Sequence, residues 1–187
     1  YTLKWQDEFN DARQTNGKTP LPSTTRWWYE TGAGGWGNNE IQNYISAYRG
    51  TDTCAVISDG ILKIIAKKVG TEVLSVRMNS TDSWTYGYFE ARLKMPTGKG
   101  TWPAFWMMGN DFDQVGWPKC GETDIMEFGH IDGINRGVQD RYFNGACHWG
   151  QSWNNHPNYA RAVTYDYSLQ DGEFHIYTCI WDQNRIA

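Results

Sequence analysis

Three acidic residues lie close together in the sequence Gly-Glu-Thr-Asp-Ile-Met-Glu-Phe, which begins at Gly121. In a regular strand alternate residues share a face, so Glu122 and Asp124 would be neighbours, but the next position in that series is a Met. One extra residue, a β-bulge around Ile125-Met126, would return Glu127 to the face of the other two acids. We therefore predict that three carboxylates crowd together on one face of a strand.

Crowded carboxylates have a chemical use. Like charges this close cannot all stay ionised, so the pKa of at least one carboxyl should rise. Glycoside hydrolysis needs this asymmetry, because one carboxyl acts ionised as a nucleophile while another acts protonated as an acid. Side chains two pleats apart on one strand suit the separation of about 5–5.5 Å found in enzymes that retain anomeric configuration. The spacing therefore predicts retention.

Two other interpretations fit the same spacing. Acids in such a short stretch are also typical of a solvated strand edge or loop. Calcium favours clustered carboxylates as well, although a loop would suit it better than a strand flanked by Ile125, Met126 and Phe128.

The composition narrows the class of ligand. The 187-residue chain carries a net charge of -4 with scattered basic residues, which argues against nucleic-acid binding. Eleven Trp and eleven Tyr exceed what a core of this size needs, and exposed rings suit the apolar faces of sugars. No apolar run approaches the ~20 residues of a membrane-spanning helix.

The four cysteines are widely spaced and form no Cys-x-x-Cys pair, which argues against a structural zinc site. Their even number permits two disulfides, but a core of this size does not require them. Disulfides and free buried thiols therefore both remain open for Cys54, Cys120, Cys147 and Cys179.

Period-two patterns predict the fold. From Tyr86 to Met95 apolar and polar residues alternate, as in a strand buried on one side. Residues 61–66 and 174–181 are further strand candidates, separated by Gly- and Asp-containing turns. Many short strands with such turns, and no repeat or linker, predict one antiparallel β-sandwich or barrel. The glycine-rich segments 31–39 and 110–121 read as loops that carry binding residues.

The acidic motif resembles the active-site signature of glycoside hydrolase family 16 in its bulged, laminarinase-like form. Further matches follow the family's order over essentially the whole chain. These are Trp5-Gln6-Asp7-Glu8-Phe9-Asn10, Gly35-Trp36-Gly37-Asn38-Asn39-Glu40-Ile41-Gln42, Tyr86-Gly87-Tyr88-Phe89-Glu90-Ala91-Arg92, Gly100-Thr101-Trp102-Pro103-Ala104-Phe105-Trp106 and Cys147-His148-Trp149.

The resemblance implies a concanavalin-like β-jelly-roll sandwich with a concave substrate cleft. It implies Glu122 as nucleophile, Glu127 as general acid and then base, and Asp124 as the residue that tunes their protonation. The cleft residues it suggests are Asn38, Arg77, Trp102, Trp106, Trp117 and His148. Arg77 also fits a surface ion pair, His148 a structural hydrogen bond, and either Trp102 or Trp106 a place in the core.

Two departures from the family pattern bear on these expectations. The sequence ends at Ala187 in what reads as a strand, so we expect residues 1–187 to form one catalytic domain that lacks its C-terminal strands here. The stretch Gly129–Ala146 between the acids and His148 is long, and we expect a loop at the cleft edge.

The resulting hypothesis is a retaining, endo-acting hydrolase of β-1,3-glucan, of mixed-linkage β-1,3-1,4-glucan, or of both. We expect a monomer that is secreted or at the cell surface or in the periplasm, with its leader already removed. No cofactor is required, although the family allows a structural calcium ion. The alternatives are a non-catalytic, lectin-like glucan-binding module and a hydrolase of agar- or carrageenan-type galactans.

Overall fold

A computed structural model describes residues 1–10, 13, 14 and 20–187. The chain divides into two compact units, Tyr1–Trp84 and Thr85–Ala187. Almost all of the regular secondary structure is β-strand, which confirms the predicted all-β class. Among the described residues, no helix has the length and apolar character needed to cross a membrane.

The described part of the first unit contains short strands only. The strands are β1 (Arg13–Gln14), β2 (Pro20–Leu21), β3 (Trp27–Glu30), β4 (Gln42–Tyr44), β5 (Tyr48–Arg49), β6 (Asp52–Thr53), β7 (Ala55–Ser58), β8 (Ile61–Ile64), β9 (Lys67–Val69), β10 (Glu72–Ser75) and β11 (Arg77–Ser80). They form the pairs β1-β2, β11-β3, β5-β6 and β7-β8 and the three-stranded sheet β4-β10-β9, in which β4 and β10 run parallel.

The first unit has its own apolar core. Alternation along β7 turns Ala55 and Ile57 inward, as expected for a strand buried on one side. β8 confirms the strand predicted over residues 61–66. The buried cluster comprises Leu21, Ile45, Ala47, Cys54, Ala55, Leu74 and Val76.

The second unit contains six strands and two helices of about one turn. The elements are β12 (Gly87–Leu93), β13 (Ala104–Met108), α1 (Phe112–Val115), β14 (Glu122–Glu127), α2 (Ile131–Asn135), β15 (Tyr142–His148), β16 (Asn158–Thr164) and β17 (His175–Trp181). The strands form a four-stranded antiparallel sheet, β13-β14-β15-β16, and the antiparallel pair β12-β17.

The two sheets of the second unit share a core. Along β12 the residues Tyr88, Glu90 and Arg92 are exposed while their neighbours are partly buried, which confirms the predicted alternation. β17 confirms the strand predicted over residues 174–181. The buried cluster draws on both sheets and contains Met95, Met126, Phe128, Leu169 and Tyr177.

Two predicted loops prove to be shorter than expected. The segment 110–121 includes α1, whose four residues are too few to show helical periodicity. The segment Gly129–Ala146, expected as a loop, contains α2 (Ile131–Asn135), and the expectation is wrong at its C-terminal end, because β15 begins at Tyr142. Alternating burial along β15 explains the difference, since Tyr142, Asn144 and Ala146 are buried while the residues between them are partly exposed.

Candidate active site

The predicted β-bulge is present in β14 and sets the position of the acids. Asp124 pairs with Ala146 and Glu127 with Asn144, so Ile125 and Met126 both lie opposite Gly145. The register with β13 shifts at the same place. Two residues opposite one is the definition of a bulge. Glu122, Asp124 and Glu127 therefore share one face of the four-stranded sheet.

The opposite face of β14 explains why the bulge matters. Met126 is only 1% exposed and packs in the core with Phe128. In a regular strand Met126 would occupy the face of Asp124, and Glu127 would point toward that core. The extra residue lets the strand bury Met126 and still return Glu127 to the acidic face.

Glu122 begins β14 beside an indole ring. The Nε1–H of Trp117 donates a 2.7 Å hydrogen bond to Oε2 of Glu122. Trp117 lies in the loop that follows α1, and both side chains are partly exposed. A carboxylate held by a fixed donor keeps one orientation, which is what a nucleophile requires.

Glu127 ends β14 and is held at both oxygens. The Nε1–H of Trp102 donates to Oε1 over 2.9 Å, and Nδ2 of Asn144 donates to Oε2 over 3.0 Å. Asn144 is buried on β15. Asn144 is not among the residues predicted from the sequence, although a lone amide among the inward positions of β15 is a signal that could have identified it.

Asp124 lies between the two glutamates and is buried, with 5% of its surface exposed. Burial, together with the negative charges of Glu127 and Glu122 and a hydrogen bond with Glu122, raises the pKa of Asp124 from its ordinary value to about 9. The prediction that at least one carboxyl has a raised pKa is therefore confirmed, and that carboxyl is Asp124. It carries a proton at neutral pH and can donate it in a hydrogen bond to Glu122.

His148 approaches Asp124 from β15. Its Nε2 lies 3.3 Å from Oδ2 of Asp124, and in the strand register His148 pairs with Glu122. Its buried Nδ1 has no hydrogen-bond partner among the described residues. The structure thus places His148 at the acids, as the resemblance implied.

Some of the other predicted cleft residues belong to the second unit and some to the first. Trp106 on β13 lies opposite Asp124, so it borders the acids together with Trp102 and Trp117. Asn38 and Arg77 belong to the first unit. Their proposed role in substrate binding stays a prediction.

Arg77 forms an ion pair, which was the alternative to a role in substrate binding. Its Nε lies 2.5 Å from Oε2 of Glu30, and its guanidinium lies over the Trp36 ring at 4.9 Å from the centroid. Asn38 lies exposed in the turn after Trp36, and its backbone N–H donates to the carbonyl of Gly35. Arg77 is therefore held by an ion pair and an aromatic ring.

One group of side chains at the acids has the geometry to hold a metal ion. Single donor atoms of Glu122, Asp124 and His148 all lie within 4.8 Å of one another. Calcium takes six to eight oxygen ligands, whereas this set offers two carboxyl groups and an imidazole nitrogen. The donor set therefore fits calcium poorly.

Comparison with known proteins places these features in a family context. The model of Glycosyl hydrolases family 16 matches residues 42–187. A glucan endo-1,3-beta-glucosidase of Cryptopygus antarcticus is 34% identical over all of this chain, which spans 65% of that protein. A beta-glucanase of Rhodothermus marinus is also 34% identical over the whole chain, which spans 61% of it. The chain thus covers less than two thirds of the length of either relative.

A solved structure supports the fold. A Bacteroides ovatus family 16 protein of a mixed-linkage glucan locus, in complex with a G4G4G3G product, superposes with a TM-score of 0.78 at 35% identity. The superposition covers 96% of this chain and 71% of that chain. This similarity confirms the predicted all-β jelly-roll fold.

Proposed function

Because the chain belongs to glycoside hydrolase family 16, we propose that it is an endo-acting β-glucanase that cleaves with retention of anomeric configuration. The observation that carries this proposal is the β-bulge, which gathers Glu122, Asp124 and Glu127 on one face. Asp124 keeps a proton between the other two acids. Retaining hydrolysis uses two carboxyls, one as nucleophile and one as acid. We assign these roles to Glu122 and Glu127, with Asp124 as the hydrogen-bond donor to Glu122.

In the first step Glu127 acts as the acid. It protonates the glycosidic oxygen while a carboxylate oxygen of Glu122 attacks the anomeric carbon, so the bond to the leaving sugar breaks and a glycosyl ester forms. Trp102 and Asn144 fix the direction of the Glu127 carboxyl. Trp117 fixes one oxygen of Glu122.

In the second step Glu127 acts as the base. It removes a proton from a water molecule whose oxygen attacks the anomeric carbon, and Glu122 leaves as a carboxylate. A hydrogen bond donated by the protonated Asp124 stabilises the negative charge that returns to Glu122. Two inversions at the same carbon give net retention.

The linkage cleaved is the finer part of the proposal. One similar protein is described as a 1,3-beta-glucosidase, and a similar structure comes from a mixed-linkage glucan locus. We extend both to this chain and propose β-1,3-glucan, mixed-linkage β-1,3-1,4-glucan, or both, as substrate. All three acids are present with the bulge intact, which argues against a non-catalytic glucan-binding module.

The proposed mechanism needs no cofactor, because side-chain carboxyls carry both steps. A polymeric glucan is too large to enter a cell intact, so we propose that the protein acts outside the cytoplasm or in the periplasm. We propose that it acts as a monomer, since the acids and the groups that hold them all come from the second unit of one chain.

Product analysis on laminarin and on mixed-linkage glucan tests the function. We expect the wild-type protein to release oligosaccharides, and Glu122→Ala to lose at least about 10³-fold in kcat. Glu90→Gln is the control, because Glu90 is an exposed acid on β12 and its removal should leave kcat unchanged. Binding of both glucans without cleavage would instead support the lectin-like module, and cleavage of agar or carrageenan alone would support the galactan hydrolase.

Added azide distinguishes the nucleophile from the general acid and base. In Glu122→Ala a small anion can attack the anomeric carbon directly, so added azide should restore turnover and yield a glycosyl azide of inverted configuration. In Glu127→Ala azide attacks the glycosyl ester and should yield a product of retained configuration. The opposite pairing of variants and products would reverse the roles given to Glu122 and Glu127.

A further inference from the structure

The connection between β15 and β16 has a defined shape. The N–H of Trp149 donates to the carbonyl of Pro157 over 3.2 Å, and the N–H groups of Gln151 and Ser152 donate to the carbonyl of Asn155. The N–H of Asn155 donates back to Ser152 over 2.9 Å. We call the residues 149–157 the β15–β16 loop, and these bonds fix its backbone next to the end of β15.

Glycine at position 150 tightens the β15–β16 loop further. Gly150 has a φ of 140°, and a Cβ placed there would lie 2.3 Å from the carbonyl oxygen of Asn155. Only glycine allows so close an approach of two backbone segments. The loop therefore presents its side chains from a constrained backbone.

Three aromatic rings meet where this loop reaches the acids. The ring centroids of Trp153 and His156 each lie 4.8 Å from that of Trp117, and 5.7 Å from each other. Nδ1 of His156 also hydrogen-bonds the carbonyl of Trp153. The Trp117 indole also donates a hydrogen bond to Glu122, so the three rings form one group that begins at the proposed nucleophile.

Trp153 is held in this group but is not buried by it. The residue is 60% exposed, so packing leaves much of the indole surface in water. Exposure of so large an apolar surface on a constrained loop beside a polar catalytic centre is typical of a ligand-binding ring. The C–H face of a pyranose ring is the ligand surface that matches a flat indole beside carboxylates.

We propose that Trp153, supported by His156 and Trp117, stacks on a glucose unit of the bound β-glucan and forms a subsite beyond the sugar units bound at the acids. This inference rests on the proposed function for the identity of the sugar. It makes Trp153 a substrate-binding residue that extends the site from the second unit's sheet onto the β15–β16 loop. Oligosaccharides too short to reach the Trp153 ring gain no binding affinity from it.

Binding to an inactive protein tests the proposal without requiring turnover. In a Glu122→Gln background, laminari-oligosaccharides and mixed-linkage glucan oligosaccharides of two to six units are titrated by calorimetry. Trp153→Ala should weaken binding of the longer chains about three- to tenfold and leave the disaccharide unaffected. Trp153→Phe should restore most of the affinity, because a flat ring remains.

Tyr159→Ala is the matched control. Tyr159 is 57% exposed on β16 and pairs with Cys147, so it lies on the face of the sheet opposite the acids. Its loss should leave every affinity unchanged. If Trp153→Ala weakens the affinity for all chain lengths equally, Trp153 only supports Trp117. If the affinity is unchanged at every chain length, the Trp153 ring does not form a subsite.

The titrations test the subsite independently of whether the protein cleaves glucan. If the wild-type protein cleaves neither glucan but Trp153→Ala still weakens binding of longer chains, the subsite stands and the catalytic proposal fails. If the wild-type protein cleaves glucan and the titrations show no dependence on Trp153, the subsite fails and the catalytic proposal stands.

Discussion

The indole Nε1–H of Trp117 donates a 2.7 Å hydrogen bond to Oε2 of Glu122, five residues further along the chain. The loop after α1 therefore turns back on the strand that it precedes, and one of its rings fixes the carboxylate proposed as nucleophile. The same ring contacts Trp153 and His156, so it links the acids to the β15–β16 loop.

Trp117→Phe removes the donor and keeps most of the ring. We expect kcat to fall about tenfold or more on all glucans, because a charge-assisted hydrogen bond to the nucleophile is worth about 1.5–3 kcal/mol. Steady-state kinetics on laminarin measure the effect. Trp181→Phe on β17 is the control for loss of an indole in the same unit, and equal losses in both variants would contradict a specific role for Trp117.

Asp124 should make the protein less stable as pH rises. Its pKa is raised in the folded state to about 9 from 3.8, so between these values the folded protein holds a proton that the unfolded chain has lost. Stability then falls with increasing pH across this window, by about 1.4 kcal/mol per pH unit at most. Urea denaturation at pH 5, 7 and 9 should show a shallower fall for Asp124→Asn, since an amide does not titrate.

The same substitution should also cost activity. Asn at position 124 can still donate a hydrogen bond to Glu122 but cannot exchange a proton with the neighbouring acids as their charges change, so we expect kcat to fall about 10²-fold despite the gain in stability at neutral and alkaline pH. An Asp124→Asn variant with the wild-type pH dependence of stability would show that another group carries the proton.

Deletions in the bulge test its geometric role. Deleting Ile125 alone leaves Met126 opposite Gly145 and keeps Glu127 paired with Asn144, so all three acids stay on one face. We expect a folded variant with kcat lowered about 10²-fold, because removal of the bulge shifts the acids slightly. Circular dichroism and activity on mixed-linkage glucan measure the outcome.

Deleting both Ile125 and Met126 should be far more damaging. Glu127 would then point toward the core that contains Phe128, and burial of an unpaired carboxylate strongly destabilises a fold. We expect an inactive protein that is mostly unfolded. Similar activity in the single and double deletions would contradict the register described for β14.

Gly145→Ala tests the strand opposite the bulge. A Cβ at position 145 would lie 3.0 Å from the carbonyl oxygen of Asp124, which the ladder holds in place. We expect a loss of about 1–2 kcal/mol in the free energy of unfolding together with lower activity. Gly98→Ala is the control, because the nearest atom to its Cβ would be a side-chain methyl of Thr101 at 3.4 Å.

The cysteines should behave as thiols. All four are unpaired, and Cys54 and Cys179 are buried, which also raises the pKa of both thiols. A reducing agent should therefore leave the Tm unchanged, and a thiol reagent should modify these two only after denaturation. A fall in Tm on reduction would indicate a disulfide instead.

The sequence determined the features that depend on short-range patterns. Alternation over Tyr86–Met95 identified β12, because the side-chain period of a strand is local. The spacing of Glu122, Asp124 and Glu127 required the bulge for the same reason, and the ladder contains it. The order of the motifs along the chain then indicated the family.

The tertiary structure decided which side chains meet. Asn144 holds Glu127, and Trp153 contacts Trp117, only because β14, β15 and the β15–β16 loop fix a register between distant parts of the chain. The proton on Asp124 likewise depends on burial beneath its neighbours and on charges from both ends of β14. Such contacts and burial arise from the packing of several strands, which a local sequence pattern does not encode.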